Sequence, residues 1–282
     1  MKGKLYICPT PIGNLEDITL RVLRVLQEVD FIAAEDTRHT IKLLNHFDIK
    51  KKMISCHEHN ESVRTHQIVE RLKKGENCAL VSDAGMPGIS DPGSLVIREA
   101  VCNGIEVVGL PGATAFTLAL VVSGLDTTAF VFEGFLPNKK GDKMKRLERL
   151  RDEERTMIFY ESPHRLITTL DAMVSVFGER KIAVSRELTK RYEETIRGLL
   201  FEVKHQLDQR ELKGEFVLVV EGNPSVEKES KADMTDVVDK LMKEGLSHKE
   251  VVKEAVTQFG LNKNEVYQKV LELRKGGKED DH

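Results

Sequence analysis

The segment Ala79-Leu-Val-Ser-Asp-Ala-Gly-Met-Pro-Gly-Ile-Ser-Asp-Pro-Gly93 constrains this chain more than any other. It opens as a short apolar strand, about Cys78 to Val81. It runs on through three glycines (Gly85, Gly88, Gly93), two prolines (Pro87, Pro92) and two acids (Asp83, Asp91), and a helical pattern starts at Ser94. Glycine loses much backbone freedom on folding, so such a loop is costly to order. It is also longer than the roughly 2–6 residues of an ordinary βα connection. At the carboxyl end of a strand in an open α/β sheet, a loop of this kind lies where ligands bind. A plain βα connection with no ligand is the structural alternative.

The surrounding pattern supports an α/β setting. Strands are expected at Lys4–Cys8, Phe31–Ala34, Lys52–Ser55, Asn77–Ser82 and Ile105–Gly109. Between them lie helical stripes: Leu20, Leu23 and Leu26; Ile41, Leu44 and Phe47; and Ile68, Val69 and Leu72 with Gly75 as C-cap. Alternating short apolar strands and helices mean a mostly parallel sheet covered by helices. An apolar helix over Thr114–Val122 and a linker over Ser123–Thr128 end this part, giving a first domain over residues 1–122.

A second domain, residues 129–223, carries strands at Ala129–Glu133, Thr156–Tyr160, Lys181–Arg186, Glu193–Gly198 and Glu215–Glu221. Helices are expected at Asp142–Glu153 and Pro163–Phe177, the latter with Ser162 as N-cap and Pro163 as first residue. The later strands follow one another with fewer helices, so this sheet reads as mixed. After the Gly222-Asn-Pro-Ser225 turn, residues 233–275 form three amphipathic helices. Ser247 with Glu250 and Asn262 with Glu265 have capping-box spacing, and Gly260-Leu261 joins two of the helices. The unit resembles a helix-turn-helix, but it carries as many acids as bases, whereas a duplex-reading helix is strongly basic. A helical docking module is the preferred reading over direct nucleic-acid contact. The charged tail Lys275–His282 reads as frayed.

Four other stretches join the glycine-rich loop: Leu5–Leu20, Ala33-Ala-Glu-Asp-Thr-Arg-His-Thr40, Gly109-Leu-Pro-Gly-Ala-Thr-Ala115 and Phe159-Tyr-Glu-Ser-Pro-His-Arg165. With these motifs in order over about Leu5 to Gly222, the chain resembles the tetrapyrrole-methylase-like family of S-adenosylmethionine (AdoMet) methyltransferases. The resemblance implies two α/β domains with a cofactor cleft between them, AdoMet as cofactor, and a homodimer. It also implies 2′-O-methylation of a cytidine ribose in small-subunit ribosomal RNA, free or in the assembled subunit. A tetrapyrrole or diphthine methyltransferase is the alternative within the family. Outside it, the alternative is a non-catalytic RNA-binding assembly protein.

The residues agree with this by what they contain and what they lack. There is no G-x-G-x-x-G after the first strand, no phosphate-binding G-x-x-x-x-G-K-[ST], no H-E-x-x-H and no G-x-S-x-G. The expectation is therefore no metal. Methyl transfer from a sulfonium needs neither metal nor redox group, only a methyl held in line with its acceptor. Asp83 offers an acceptor to the cofactor, Gly85 and Gly88 permit close backbone approach, and Thr114 and Ala115 supply small residues at another strand end. Met86 and Tyr160 complete that cofactor set, and the resemblance adds Ile12, Gly214 and Glu215. Thr114 reads equally as a helix N-cap.

A ribose hydroxyl is a weak acid, so a base or cation near it would help. Candidates are Asp36 and Arg38 on one side and Glu161, His164 and Lys190 on the other, with Arg165 and Arg186 beside them. Asp36 reads equally as a cap and His164 as an ordinary first-turn residue, so the base stays unassigned. The RNA signal is Lys139-Lys-Gly-Asp-Lys-Met-Lys-Arg-Leu-Glu-Arg149, where six bases meet two acids. A solvated helix face is the alternative.

Bulk properties set the remaining limits. Net charge is −3, so any RNA site is a local patch. The four cysteines have no metal-ligand spacing and read as reduced, which with the immediate first strand suggests a cytoplasmic protein. No segment reaches the ~18 apolar residues of a membrane span. The apolar run Ala113–Val122 carries more greasy surface than one sheet face needs, consistent with a dimer.

Overall fold

The structure, a computed structural model, describes residues 1–223, 234–259, 261 and 263–276. Expectations for Pro224 and Ser225, the start of the helical unit at Asp233, Gly260, the Asn262 cap and the tail beyond 276 lie outside the described residues.

The first part runs β1 (Lys4–Ile7), α1 (Leu20–Glu28), β2 (Phe31–Ala34), α2 (Thr37–His46), β3 (Met53–Ser55), α3 (Glu61–Lys73), β4 (Cys78–Val81), α4 (Ser94–Cys102) and β5 (Glu106–Gly109). The strands form one sheet in the order β3-β2-β4-β1-β5, parallel at every junction. Every residue of β2 and β4 is buried, which is why both read as unbroken apolar runs. One face packs Leu5, Phe31, Leu80 and Cys78 against Ile68, Leu72, Val96 and Ala100 of α3 and α4. The other packs Cys8, Ile32 and Val81 against Val22, Leu26 and Leu44 of α1 and α2. The chain leaves β1 toward one edge through α1 and leaves β4 toward the opposite edge through α4. The carboxyl ends of these neighbouring strands are thus the topological switch point, where open α/β sheets hold ligands.

Caps fix the helix starts. Thr19 accepts from the Val22 amide at 3.1 Å, and Asp36 accepts from the Arg38 amide at 2.8 Å. Gly93 has no side chain to cap α4. Instead, Glu61 at the start of α3 accepts from the Gly93 and Leu95 amides at 2.8 and 3.2 Å. The far end of the glycine-rich loop is thereby held by a carboxylate distant in sequence.

The second part runs α5 (Ala115–Ser123), β6 (Phe130–Phe135), α6 (Lys140–Arg149), β7 (Thr156–Glu161), α7 (Leu166–Phe177), β8 (Lys181–Arg186), β9 (Glu194–Leu199), α8 (Leu200–Asp208) and β10 (Phe216–Val220). Its sheet has the order β6-β7-β10-β8-β9, parallel between β6 and β7 and antiparallel elsewhere. This is the mixed sheet expected. One face is covered by α6, α7 and α8 around Phe159, Leu170, Met173, Leu200 and Leu218. On the other face, Ala119 and Leu120 of α5 pack with Ile158, Ala183, Val217 and Val219. The helix that closes the first part in sequence thus lies on the second sheet, and the chain crosses the cleft at Gly109–Thr114.

Three details depart from the sequence reading. α7 begins at Leu166 and not at Pro163, because Ser162–Arg165 form a turn in which Arg165 donates to the Ser162 carbonyl at 3.1 Å. α6 spans Lys140–Arg149, two residues earlier at its start than expected and four shorter at its end. α8 is an additional helix, and Leu200, Val203 and Leu207, which recur at helical spacing, are its buried residues.

The C-terminal unit consists of α9 (Met234–Lys243), α10 (His248–Phe259) and α11 (Lys263–Gly276) around Val238, Leu241, Val251, Ala255, Val266 and Val270. The Glu250 carboxylate accepts from the Ser247 amide at 2.9 Å, half of the expected capping box.

Candidate functional site

The two loops at the switch point are joined before any ligand is considered. Thr10 and Gly85 exchange both backbone hydrogen bonds, at 2.9 and 3.0 Å, and the buried Thr10 hydroxyl donates to the Ser82 carbonyl at 3.1 Å. Gly85 adopts φ +79° and Gly88 φ +81°, in the region that favours glycine. A Cβ on Gly85 would stand 3.4 Å from Ile12 Cγ2, so the two loops meet closely there.

Facing this clamp across the cleft is the carboxyl end of β7 and the entry to β10. Between them lies a cavity of about 280 Å³. Its first-domain wall comes from the loops after β1, β4 and β5: Ile12, Ala84, Met86, Ile89, Ser90, Asp91, Thr114 and Ala115. Phe116, Phe135, Tyr160, Pro163, Glu215 and Val217 close the other side. A register shift in β6 between Phe132 and Gly134 sets Phe135 opposite Tyr160, their rings 5.5 Å apart. Gly134 takes φ +62°, and a Cβ there would stand 3.2 Å from Ser90 Oγ. The bulge therefore makes room for the glycine-rich loop.

The electrostatics are acidic. Burial pushes the Asp91 carboxyl up to about 7, helped by the Glu35, Asp83 and Glu215 carboxylates and opposed by a hydrogen bond from Ser82. Burial likewise raises Tyr160 to about 12, with Asp91 and Glu215 adding to the effect. Glu35 is raised by burial, then by Asp83 and Asp36. A cationic ligand would reverse these costs, and the apolar side chains of Ile12, Met86, Phe116 and Val217 suit a flat heterocycle. The wall therefore fits AdoMet, which combines a sulfonium and an ammonium with an adenine ring.

Of the sequence-derived cofactor residues, Ile12, Met86, Thr114, Ala115, Tyr160, Gly214 and Glu215 lie on this wall. Asp83, Gly85 and Gly88 stand behind it. Asp83 Oδ1 accepts from the Asp36 amide at 3.1 Å, and the Asp83 amide donates to Glu35 Oε2 at 3.3 Å, so this acid ties β4 to β2. Gly214 takes φ +91°, and a side chain there would collide with Glu187. Thr114 stands at the N-cap of α5 without a capping bond and pairs its hydroxyl with Thr117.

The acceptor-side candidates are less concentrated. Asp36 caps α2 and pairs with Arg38, whose hydrogen bonds hold the Asp36 carboxyl down at about 2. Neither residue reaches the wall. His164 is exposed, and its neighbour Pro163 is the residue on the wall. Lys190 Nζ sits 2.9 Å from both Glu187 and Glu215, one layer behind the cavity. Glu161 borders the cavity, but its carboxylate is buried and engaged. It accepts from the Ser162 amide at 2.8 Å and the Thr169 hydroxyl at 2.6 Å, and pairs with Arg165 at 3.3 Å.

One sequence reading changes at the basic stretch. Lys143 belongs to no surface patch: it is 6% exposed, and Nζ donates to the Thr169 hydroxyl at 2.8 Å, extending the Glu161 network. Burial lowers its pKa. Lys139, Lys140, Lys145, Arg146 and Arg149 remain exposed, with Arg146 paired to Glu133. Asp91 and Phe135 are wall residues that sequence reading missed. The signal for Asp91 was present, since it is the second acid of the glycine-rich loop.

Among the described residues no cluster of His, Cys, Asp and Glu is placed to hold a metal ion, and no helix is long and apolar enough to cross a membrane.

Comparison with known proteins places the chain. Residues 4–204 match the family model of tetrapyrrole (corrin/porphyrin) methylases, and residues 228–274 match the RsmI C-terminal HTH domain. The ribosomal RNA small subunit methyltransferase I of Halalkalibacterium halodurans is 48% identical over 94% of this chain and 94% of its own length. That of Bacillus subtilis is 46% identical over 94% and 93%. Among solved structures, the methyltransferase CobJ shares the fold at a TM-score of 0.60 and 19% identity, covering 78% of this chain and 94% of its own. The chain belongs to the tetrapyrrole (corrin/porphyrin) methylase family, on the branch of the ribosomal RNA small subunit methyltransferase I proteins.

Proposed function

We propose that this protein transfers the methyl group of AdoMet to the ribose 2′-oxygen of a cytidine in small-subunit ribosomal RNA. The observation that carries the reading is the acidic, apolar-walled cavity at the switch point, in a chain that matches ribosomal RNA methyltransferases along nearly its whole length. AdoMet, when bound, supplies a methyl group already activated on sulfonium. Ile12, Met86, Phe116 and Val217 enclose its apolar part. Glu215, steadied by Lys190, and the hydroxyls of Ser90 and Thr114 receive its polar groups. Closing the cavity from both domains excludes water and holds donor and acceptor together.

The exposed bases of α6 and the preceding Lys139 serve as the phosphate-binding surface beside the cavity. The C-terminal unit of α9, α10 and α11 acts as a docking module for the ribosomal substrate. The protein works in the cytoplasm, which agrees with four free cysteines of which Cys8, Cys56 and Cys78 are buried. It acts as a homodimer through the outer face of α5, where Leu118 and Val121, one turn apart, and the nearby Phe130 are exposed. Light scattering tests the dimer, and Val121→Glu is expected to yield monomer.

The deciding experiment supplies purified protein and labelled AdoMet with either naked small-subunit RNA or the assembled subunit, then maps ribose methylation. Label in a single cytidine 2′-oxygen supports the reading. Label in no RNA, with transfer to a tetrapyrrole, would overturn it.

A further inference from the structure

We propose that Asp91 is the general base that takes the proton from the acceptor hydroxyl. This rests on the methyltransferase reading above, and it follows from what each titratable side chain of the cavity wall is already doing.

Four such side chains border the cavity: Asp91, Tyr160, Glu161 and Glu215. Glu161 is excluded by its partners. Both carboxylate oxygens are occupied by the Ser162 amide, the Thr169 hydroxyl and the Arg165 guanidinium, and the residue is 2% exposed. A carboxylate committed to three donors must give one up before it can reach a substrate hydroxyl. Glu215 is paired with Lys190 at 2.9 Å, and its side chain is otherwise largely in solvent. Tyr160 stays protonated, since burial and the neighbouring acids oppose its ionisation. Asp91 stands on the wall, and the charged groups that act on it most strongly are carboxylates: Glu35 and Asp83 from the ends of β2 and β4, and Glu215 from the entry to β10. The nearby Ser82 hydroxyl partly offsets their effect, and the phenol of Tyr160 is the other titratable group facing it.

That setting makes Asp91 a base of the strength the task needs. Its burial and its acidic neighbours raise its proton affinity toward neutrality, where general-base catalysis is most effective. Its position is held from behind: Pro92 accepts from the Gly88 amide at 3.2 Å, and Gly93 is fixed by Glu61. The step balances in atoms and charge. Asp91 takes the 2′-hydroxyl proton, the oxygen pair freed forms the new O–C bond, and the C–S bond of the sulfonium breaks with its pair left on sulfur. One positive and one negative charge vanish together, so Asp91 is not left ionised beside a neutral thioether. A bound sulfonium favours ionised Asp91 before the step, and its loss favours protonated Asp91 after it.

The charge coupling gives a readout that needs no RNA. Calorimetric titration of AdoMet near neutral pH, in two buffers of different ionisation heat, reports protons released on binding. The wild type is expected to release a fraction of a proton and Asp91→Asn none, with AdoMet affinity within a few-fold of wild type. In single-turnover transfer to small-subunit RNA, Asp91→Asn is expected to be slower by about 10²–10⁴, with loss of the acid limb of the pH profile, and Asp91→Glu to regain part of the rate. The proposal is overturned if Asp91→Asn releases the wild-type proton, if the wild type releases none, or if the variant loses affinity as steeply as rate, which would make Asp91 a cofactor ligand. If the wild type itself fails to methylate RNA, the RNA reading falls, while the proton count still decides whether Asp91 is tuned to the cofactor's charge.

Discussion

Thr10 and Gly85 hold each other by two backbone hydrogen bonds, at 2.9 and 3.0 Å, although 75 residues separate them in the chain. This bridge fastens the loop after β1 to the glycine-rich loop after β4, and Ile12 and Met86 reach the cavity from its two sides. A side chain at Gly85 must adopt φ +79° and press on Ile12. Gly85→Ala is expected to cost about 1–3 kcal/mol of stability and to weaken AdoMet binding. Thermal unfolding and calorimetry check both, and a wild-type value for each would show that the loop relaxes freely.

Asp83 carries a different expectation from the one its sequence position suggests. Its carboxylate serves the Asp36 amide and stands behind the wall. Asp83→Ala leaves that part-buried amide without its partner, at a cost of about 1–3 kcal/mol. AdoMet affinity should fall less than it does in Glu215→Ala, and a larger loss in Asp83→Ala would put Asp83 in the cofactor site.

The basic stretch divides into two roles that substitution can separate. Neutralising Lys139, Lys140, Lys145 and Arg146 should leave AdoMet affinity unchanged and flatten the salt dependence of RNA binding. The slope should shrink by about 0.7 for every single-strand phosphate that no longer meets a base. Lys143→Ala should instead lower stability by about 1–3 kcal/mol, because it strips the buried Thr169 hydroxyl of its donor. An unchanged salt slope in the four-fold variant would make this face of α6 a solvated surface only.

Asp91 also sets a pH dependence of stability without ligand. Its folded pKa, about 7, lies above the value in the unfolded chain. The folded state therefore binds more protons in the interval between them, so stability falls as pH rises from about 4 through 7. Asp91→Asn removes this loss: its melting temperature should exceed that of wild type by a clearly larger margin near pH 8 than near pH 5, where most of the loss has yet to occur. A constant difference at both pH values would assign the effect to packing.

The order of elements, α8 apart, and the existence of two α/β domains were legible in the chain itself, because they rest on local periodicity. β2 and β8 run over the residues expected, since each is an uninterrupted apolar or alternating run between polar turns. The glycine-rich loop was legible as well, because only glycine enters the positive-φ region readily at Gly85, Gly88 and Gly93. Which acid of that loop meets the cavity was not legible. Asp83 and Asp91 look alike in sequence, and their roles diverge through neighbours — Asp36, Glu35 and Glu215 — that come from distant segments. Lys143 and Lys145 likewise differ only in which side of α6 they occupy: one is buried against Thr169, the other exposed. Composition and spacing determine which groups a chain carries and which elements they ride on. Their protonation, pairing and exposure depend on neighbours brought together by packing, and those only the tertiary structure decides.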